Sequence, residues 1–97
     1  MMSGTSVVNR AVTVKNPNGL HLRPWYMVVK LVQPYKSKIE IVKEFARVDA
    51  RSVLSLMTLG VRHGETIVVE ADGEDAEAAV TALADFLDGY VEAEEQE

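Results

Sequence analysis

The alternation of apolar and polar positions predicts the first elements of the chain. Residues 8–14 carry Val at most of their alternate positions, which is typical of a half-buried strand. Residues 16–19 contain Pro and Gly, which favour a turn. Pro24 suits the first turn of a helix and Pro34 cannot continue one, so we predict a helix over residues 24–33.

Further patterns complete the predicted order. Residues 38–42 and 45–48 are rich in strand-forming side chains and predict two strands, joined by a link without Gly, Asn or Pro. Residues 49–59 predict a short helix that is apolar on several faces. Residues 65–71 have the clearest strand pattern, and residues 75–90 repeat their apolar side chains as an amphipathic helix does.

The predicted order is therefore β-α-β-β-α-β-α, with no internal repeat and no linker. This order indicates an α+β fold, an open-faced two-layer sandwich with a four-stranded antiparallel sheet and three helices on one face. We expect one domain over residues 6–91, a disordered N-terminus over residues 1–5 and an acidic tail over residues 92–97.

Composition favours a single globular domain in the cytoplasm. Of 97 residues, 47% are hydrophobic, which is enough for one modest core. The absence of Cys excludes disulfides and sulfur-bound zinc. The longest apolar run, residues 25–29, is much shorter than the ~18 residues of a membrane span. Residues 1–6 lack the basic and apolar regions of a signal peptide, and we expect no membrane association.

Charge is divided unequally along the chain. All ten Lys and Arg lie at or before Arg62, whereas eleven of the fifteen acids lie from Glu70 onward, and the net charge is −5. This division indicates either a region that meets anions or simply an acidic helix and tail. Because the basic residues neither run together nor interleave with stacking aromatics, nucleic acid is not an expected partner.

His21 is the strongest candidate for chemistry because it stands at the start of a predicted helix. The free N–H groups and the positive dipole end of a helix stabilise an anion. A neutral imidazole there would keep a ring nitrogen free as a nucleophile, and Arg23 would suit the oxygens of an accepted phosphate. A capping or surface histidine is the alternative. The second histidine, His63, has no ligand-spaced neighbour and is expected to be a surface residue.

Two motifs resemble those of one known family. Residues 19–24, Gly-Leu-His-Leu-Arg-Pro, resemble the phosphorylation motif of the histidine-containing phosphocarrier (HPr) family of the bacterial sugar phosphotransferase system. Residues 51–60, Arg-Ser-Val-Leu-Ser-Leu-Met-Thr-Leu-Gly, are similar to the family's second signature, a regulatory serine that opens a short apolar helix. The element order also matches over about residues 7–90. The resemblance implies the open-faced sandwich of HPr.

The resemblance also implies a function and its partners. His21 would accept a phosphoryl group on Nδ1 from phosphorylated enzyme I and pass it to a IIA component of a sugar permease. Arg23 would pair with the phosphate and with acidic partner surfaces. We expect a monomeric phosphocarrier without cofactor or metal, rather than an enzyme, since the sequence shows no paired carboxylates, metal cluster or Walker-type loop.

Ser52 matches the family's regulatory serine, which HPr kinase/phosphorylase phosphorylates in some lineages. A phosphate there would lie at a helix N-terminus and add negative charge to an apolar face. A plain helix cap is the other interpretation of this serine. The alternative function is accordingly a regulatory binding module that acts through Ser52 and contacts transcription regulators. A stand-alone small-ligand domain would rest on fold analogy alone.

Apolar residues around the two motifs are candidates for partner binding, because a short helix cannot bury every face. The candidates are Leu22, Trp25, Val53, Leu54 and Met57. In the alternative interpretation, Leu56 and Leu59 form the core and the other apolar residues are incidental. Trp25 follows the motif's proline, where the family usually has Ala. It is expected either to anchor a partner or to shield His21.

Overall fold

The computed structural model of the chain describes residues 7–92. Its elements follow the predicted order: β1 (Val7–Thr13), α1 (Leu22–Val32), β2 (Lys38–Lys43), β3 (Ala46–Asp49), α2 (Val53–Met57), β4 (Thr66–Asp72) and α3 (Ala76–Gly89). The predicted N-terminal segment 1–5 and the predicted tail beyond residue 92 lie outside the described residues. No helix within the described part of the chain is long and apolar enough to cross a membrane.

The four strands form one antiparallel sheet in the order β1-β4-β2-β3. Strand β4 is central, and its last residue Asp72 lies opposite Val7 of β1 on one side and Lys38 of β2 on the other. Strands β2 and β3 pair as a hairpin. The predicted open-faced sandwich, a four-stranded antiparallel sheet with three helices, is therefore confirmed.

The core lies between the sheet and the helices. Alternate residues of the central strands turn inward, among them Ile41 and Val69, and neither has any exposed surface. Val28 of α1 and Leu83 of α3 are buried as completely. Because strand side chains alternate, a shift of one residue in the register would turn the buried set of a strand to solvent. The pairing of the sheet is thus set by its apolar pattern.

The opposite face of the sheet carries a charged network. Glu40 of β2 and Glu70 of β4 are cross-strand neighbours. Arg47 of β3 reaches both carboxylates with Nη1, at 2.8 Å from Glu40 and 2.6 Å from Glu70. The hydrogen bond to Glu40, followed by the bond and charge of Glu70, raises the pKa of Arg47 above its ordinary value. One guanidinium therefore relieves the repulsion between two adjacent carboxylates.

The hairpin turn differs from its prediction. Strand β3 begins at Ala46, and Phe45 lies in the turn, fully exposed, instead of opening the strand. Glu44 precedes it with a φ of 56°, a left-handed conformation that Gly or Asn usually adopts. The strand preference of an aromatic residue indicated β structure at position 45, but the two-residue turn takes that position.

Helix α2 is shorter than the predicted span of residues 49–59. Asp49 still belongs to β3, and the N–H of Ala50 donates to a carbonyl oxygen of β2 at 2.9 Å. The helix begins only after Ser52, whose side chain accepts a hydrogen bond from the N–H of Ser55 at 3.2 Å. Sheet hydrogen bonds thus occupy the first two residues that the apolar pattern placed in the helix.

Gly19 lies in close contact with the loop before β4. Its φ is +69°, and an added Cβ would collide with the carbonyl oxygen of Val61 and lie 2.9 Å from Cα of Arg62. Gly60 has a similar φ of +60°, with nothing within 4 Å of an added Cβ. Substitution of Gly60 therefore tests the cost of the left-handed backbone alone, whereas substitution of Gly19 adds the cost of a steric clash.

We expect Gly60→Ala to lower the free energy of unfolding by about 1–2 kcal/mol, which is the left-handed penalty alone. Gly19→Ala should lower it distinctly more, because the new methyl group also displaces backbone. Chemical denaturation of both variants measures the difference. Equal losses would contradict the close approach at Gly19.

Candidate functional site

His21 is the N-cap residue of α1, immediately before the first helical residue. On one side, Leu20 forms an isolated antiparallel bridge with Val61, and its N–H donates to the Val61 carbonyl oxygen at 3.0 Å. On the other side, the His21 carbonyl accepts the N–H of Trp25 at 3.2 Å. The His21 side chain itself is 50% exposed. A firmly held backbone therefore presents an accessible imidazole.

The N-terminus of α1 provides N–H groups beside His21. The first turn of an α-helix leaves its N–H groups without helical acceptors. Pro24 has no N–H, and that of Trp25 is bonded to His21, so within residues 7–92 the free donors of this turn are Leu22 and Arg23. No acid lies in the first turn. With the exposed Arg23 side chain, this end of the helix is suited to an anion.

A carboxylate also reaches the imidazole. Glu92 Oε2 lies 3.6 Å from His21 Nε2, and the Tyr90 hydroxyl donates to the same oxygen at 2.7 Å. The Glu92 N–H donates to Oδ1 of Asn16 at 2.8 Å. Asn16 is fully buried and donates from Nδ2 to the carbonyl oxygen of Gly19 at 2.7 Å. These bonds tie the residues after α3 to the loop that carries His21.

The cluster contains one ionised and one neutral group at neutral pH. The hydrogen bond from Tyr90, with further bonds to Asn16 and Asn18, holds the pKa of Glu92 below its ordinary value although partial burial opposes this. Burial, followed by the hydrogen bond to Glu92 and its charge, raises the pKa of Tyr90 to about 12, against an opposing effect of Arg23. The carboxyl of Glu92 is therefore charged, and the Tyr90 hydroxyl keeps its proton.

Trp25 does not have either role predicted from the sequence. Its side chain has 0% exposure and belongs to the core, so it offers no surface to a partner. The prediction of a shield is also wrong, because the His21 side chain beside it stays half exposed. The indole N–H has no hydrogen-bond partner within the described residues. The free energy gained by burying the large ring therefore exceeds the cost of burying this N–H.

The other candidates for partner binding differ in exposure. Leu22 is 55% exposed at the start of α1, and on α2 Leu54 and Met57 are 78% and 44% exposed. Val53 is partly buried and packs against the core. The remaining apolar residues of the second motif and the loop after it are buried: Leu56, Leu59 and Val61.

Ser52 caps α2, and the residue before it bonds to the end of α1. The Ser52 hydroxyl lies 3.0 Å from that of Ser55, in addition to accepting the Ser55 N–H. The neighbouring Arg51 donates to carbonyl oxygens at and beyond the end of α1, at 3.2 Å to Val32 and 3.1 Å to Ser37. The two helices pack against each other directly. The structure therefore brings the helices of the two motifs together.

Sequence reasoning missed two parts of this region. Tyr26 and Met27 are 55% and 42% exposed and extend the apolar surface of α1 beyond Leu22. They lie in an unbroken apolar run that covers both faces of the helix. The sequence pattern therefore does not distinguish the exposed face from the buried one. Glu92 falls in the predicted tail, yet it is bonded to Asn16. No local pattern reveals a contact between positions so distant in sequence.

Within residues 7–92, no group of His, Asp and Glu side chains is arranged to hold a metal ion. The chemistry that the site offers is that of an accessible imidazole nitrogen beside helix amides and a guanidinium. The fold and the site together define a small α+β protein that is suited to take an anionic group on a histidine.

Comparisons with known proteins agree with this class. A family model described as the PTS HPr component phosphorylation site matches residues 8–88. The phosphocarrier protein HPr of Borreliella burgdorferi is 34% identical over 86 residues, which are 89% of this chain and 100% of that protein. The HPr-like protein Crh of Halalkalibacterium halodurans is 34% identical over 82 residues, 84% of this chain and 98% of that protein.

A solved structure gives the same result. The crystal structure of a phosphocarrier protein HPr from Bacillus anthracis superposes with a TM-score of 0.79 at 33% identity, covering 84% of this chain and 98% of that one. The chain belongs to the HPr family of the phosphotransferase system. The relatives from Borreliella burgdorferi and Buchnera aphidicola are both named phosphocarrier protein HPr, which describes a phosphocarrier rather than an enzyme.

Trp25 is the single Trp of the chain, so its fluorescence reports the burial of this position. We expect a blue-shifted emission that acrylamide quenches weakly in the native protein and strongly after denaturation. Trp25→Phe retains a ring and should cost less stability than the ~3–5 kcal/mol typical of a buried Trp→Ala change. Native fluorescence that is quenched as readily as that of the denatured chain would contradict the buried indole.

Proposed function

We propose that this chain carries a phosphoryl group on His21, which it accepts from phosphorylated enzyme I and passes to IIA components of a sugar phosphotransferase system. The observation that carries the proposal is the half-exposed imidazole at the N-terminus of α1. The phosphocarriers among its relatives support the same chemistry. With these partners, the protein works in the cytoplasm.

The proposed transfer uses the lone pair of Nδ1 on His21. As this nitrogen bonds to phosphorus, the bond from phosphorus to the donor breaks and its electron pair stays with the donor. The phosphate oxygens then meet the N–H groups of Leu22 and Arg23 and the Arg23 guanidinium. In the second transfer, the nucleophile of the IIA component bonds to phosphorus, the bond between phosphorus and Nδ1 breaks, and its electron pair returns to Nδ1. The carrier needs no cofactor or metal of its own.

Partners in this proposal dock on the exposed apolar residues of α1 and α2. We call this the docking surface: Leu22, Tyr26, Met27, Leu54 and Met57. Arg23 and Lys30 lie on the exposed part of α1 and add positive charge, which favours acidic partner surfaces. A monomeric carrier leaves this surface free for enzyme I and for the IIA components in turn.

Regulation through Ser52 is the second part of the proposal. Ser52 caps α2 two residues before Leu54, so a phosphate on its hydroxyl would add a charge of about −1.5 to −2 beside the docking surface. HPr kinase/phosphorylase is the proposed source. This charge would oppose an acidic partner. The alternative, a regulatory module that transcription regulators bind through Ser52, uses the same surface but does not need His21.

Labelling with phosphoenolpyruvate tests the carrier function. Incubation of the full chain with phosphoenolpyruvate, Mg²⁺ and a cognate enzyme I should give acid-labile phosphohistidine. His21→Ala should abolish the label because it removes the acceptor nitrogen. His63→Ala should label like the parent protein, since His63 is an exposed residue of the loop before β4 and does not stand at a helix N-terminus.

Intact-protein mass spectrometry and acid lability provide the readout. A His21→Ala variant that accepts the label as well as the parent would contradict the assignment. An unlabelled parent protein, with an enzyme I that labels its own carrier, would favour the regulatory alternative.

A kinase assay tests Ser52. HPr kinase/phosphorylase and ATP should give acid-stable phosphoserine, and Ser52→Ala should abolish it. Ser55→Ala is the matched control, because it changes the neighbouring hydroxyl and keeps Ser52. Ser52→Ala also removes a helix cap, so we expect a loss of about 1 kcal/mol in unfolding free energy. Label that persists in Ser52→Ala would place the modification elsewhere.

A further inference from the structure

We propose that Glu92 is a positioning residue for His21: its carboxylate keeps the proton of the neutral imidazole on Nε2 and leaves the lone pair on Nδ1. The inference deepens the proposed function and rests on it for its purpose. Which ring nitrogen carries the proton is a property of the unphosphorylated chain. It can therefore be measured without a partner protein.

The geometry places the carboxylate at one nitrogen of the ring. Glu92 Oε2 is 3.6 Å from Nε2 of His21. This separation exceeds a hydrogen-bond length, so the contact acts through charge. The Glu92 side chain is 17% exposed, which limits screening by water. Nδ1 is the nitrogen that this contact leaves available.

Glu92 is held at this place from two directions. The Tyr90 hydroxyl donates to Oε2 at 2.7 Å, and the Tyr90 ring stacks at a tilt on Phe86, with 5.5 Å between centroids. The Glu92 N–H donates to the buried side chain of Asn16 at 2.8 Å. A residue beyond the end of α3 therefore has both its backbone and its carboxylate fixed.

The protonation states of Glu92 and Tyr90 suit the positioning role. The Tyr90 bond keeps the pKa of Glu92 below its ordinary value, so the carboxylate is charged at neutral pH. The pKa of Tyr90 is raised to about 12, mainly by burial, so its hydroxyl remains a donor. Arg23, whose charge opposes that shift, is the cationic group near Tyr90. The carboxylate thus stays negative and oriented.

A charged oxygen near Nε2 distinguishes the two neutral forms of the ring. A neutral imidazole has one N–H and one lone pair. The carboxylate attracts an N–H at Nε2 and repels a lone pair there, so it favours the form with a free Nδ1. When Nδ1 bonds to phosphorus and the donor bond breaks, the proton stays on Nε2. The ring then becomes cationic beside the same carboxylate, which stabilises it.

Nitrogen-15 chemical shifts of His21 at mildly alkaline pH measure the two neutral forms directly. In the full-length parent chain we expect the Nε2–H form to predominate. Glu92→Gln keeps the size of the side chain and removes its charge, and it should move the ratio toward the Nδ1–H form by roughly twofold or more. Tyr90→Phe removes the hydroxyl that orients the carboxylate, and it should shift the ratio in the same direction by less.

Asp85→Asn is the matched control, because it removes an acid of α3 that pairs with Arg10 at 3.0 Å. It should leave the His21 ratio unchanged. A ratio that is unaltered in Glu92→Gln, or altered equally in Asp85→Asn, overturns the proposal. Glu92→Ala provides a second variant, with the same expected direction, in which no amide replaces the carboxylate.

The outcome is separate from that of the labelling experiment. If the ratio depends on Glu92 and the parent chain takes no label, the positioning role stands and the carrier function fails. If the chain takes the label and the ratio does not depend on Glu92, the carrier function stands and the positioning role is wrong.

Discussion

The main-chain contact between the loop before α1 and the loop before β4 is the constraint on which the site depends. The Leu20 N–H reaches the Val61 carbonyl at 3.0 Å, and Gly19 lies so close to that segment that a Cβ does not fit. Asn16 closes the loop from inside through the Gly19 carbonyl. Because this contact sets where α1 begins, it also sets the position of His21 relative to the helix amides. The exposed imidazole is thus a consequence of a buried backbone arrangement.

Local patterns predict the parts of this protein that depend on local interactions. The alternation in β4 and the period of α3 identified those elements to within a residue or two, because burial on one face imposes its own spacing. The positions of Trp25 and Phe45 could not be predicted in this way. A bulky aromatic fits either a core or an interface, and the choice depends on the space left by elements distant in sequence. The His21–Glu92 contact is likewise formed only when α3 ends beside the first loop.

Basic residues from the early part of the chain form ion pairs with acidic residues from the late part. Helix α3 packs on β1, so acids of the late segment meet bases of the early one: Lys15 with Asp88 at 2.6 Å and Arg10 with Asp85 at 3.0 Å. Such exposed pairs add little stability, but they neutralise one side of the molecule. Among the ion pairs of residues 7–92, none involves Arg23 or Lys30, and Lys30 instead lies 5.5 Å above the Tyr26 ring. Positive charge therefore remains where α1 is exposed.

A carrier must hold its group firmly enough to keep it and loosely enough to release it. At this site, Arg23 and the helix amides attract an anion, whereas Glu92 is an ionised carboxylate close to the ring. A site with cations alone would bind phosphate more strongly and retain it. If His21 carries a phosphoryl group as proposed, Glu92 partly offsets the attraction to the phosphate and stabilises the cationic ring. On the proposed function, this balance favours transfer between partners over storage, and it depends on a residue that lies 71 positions beyond His21 in the chain.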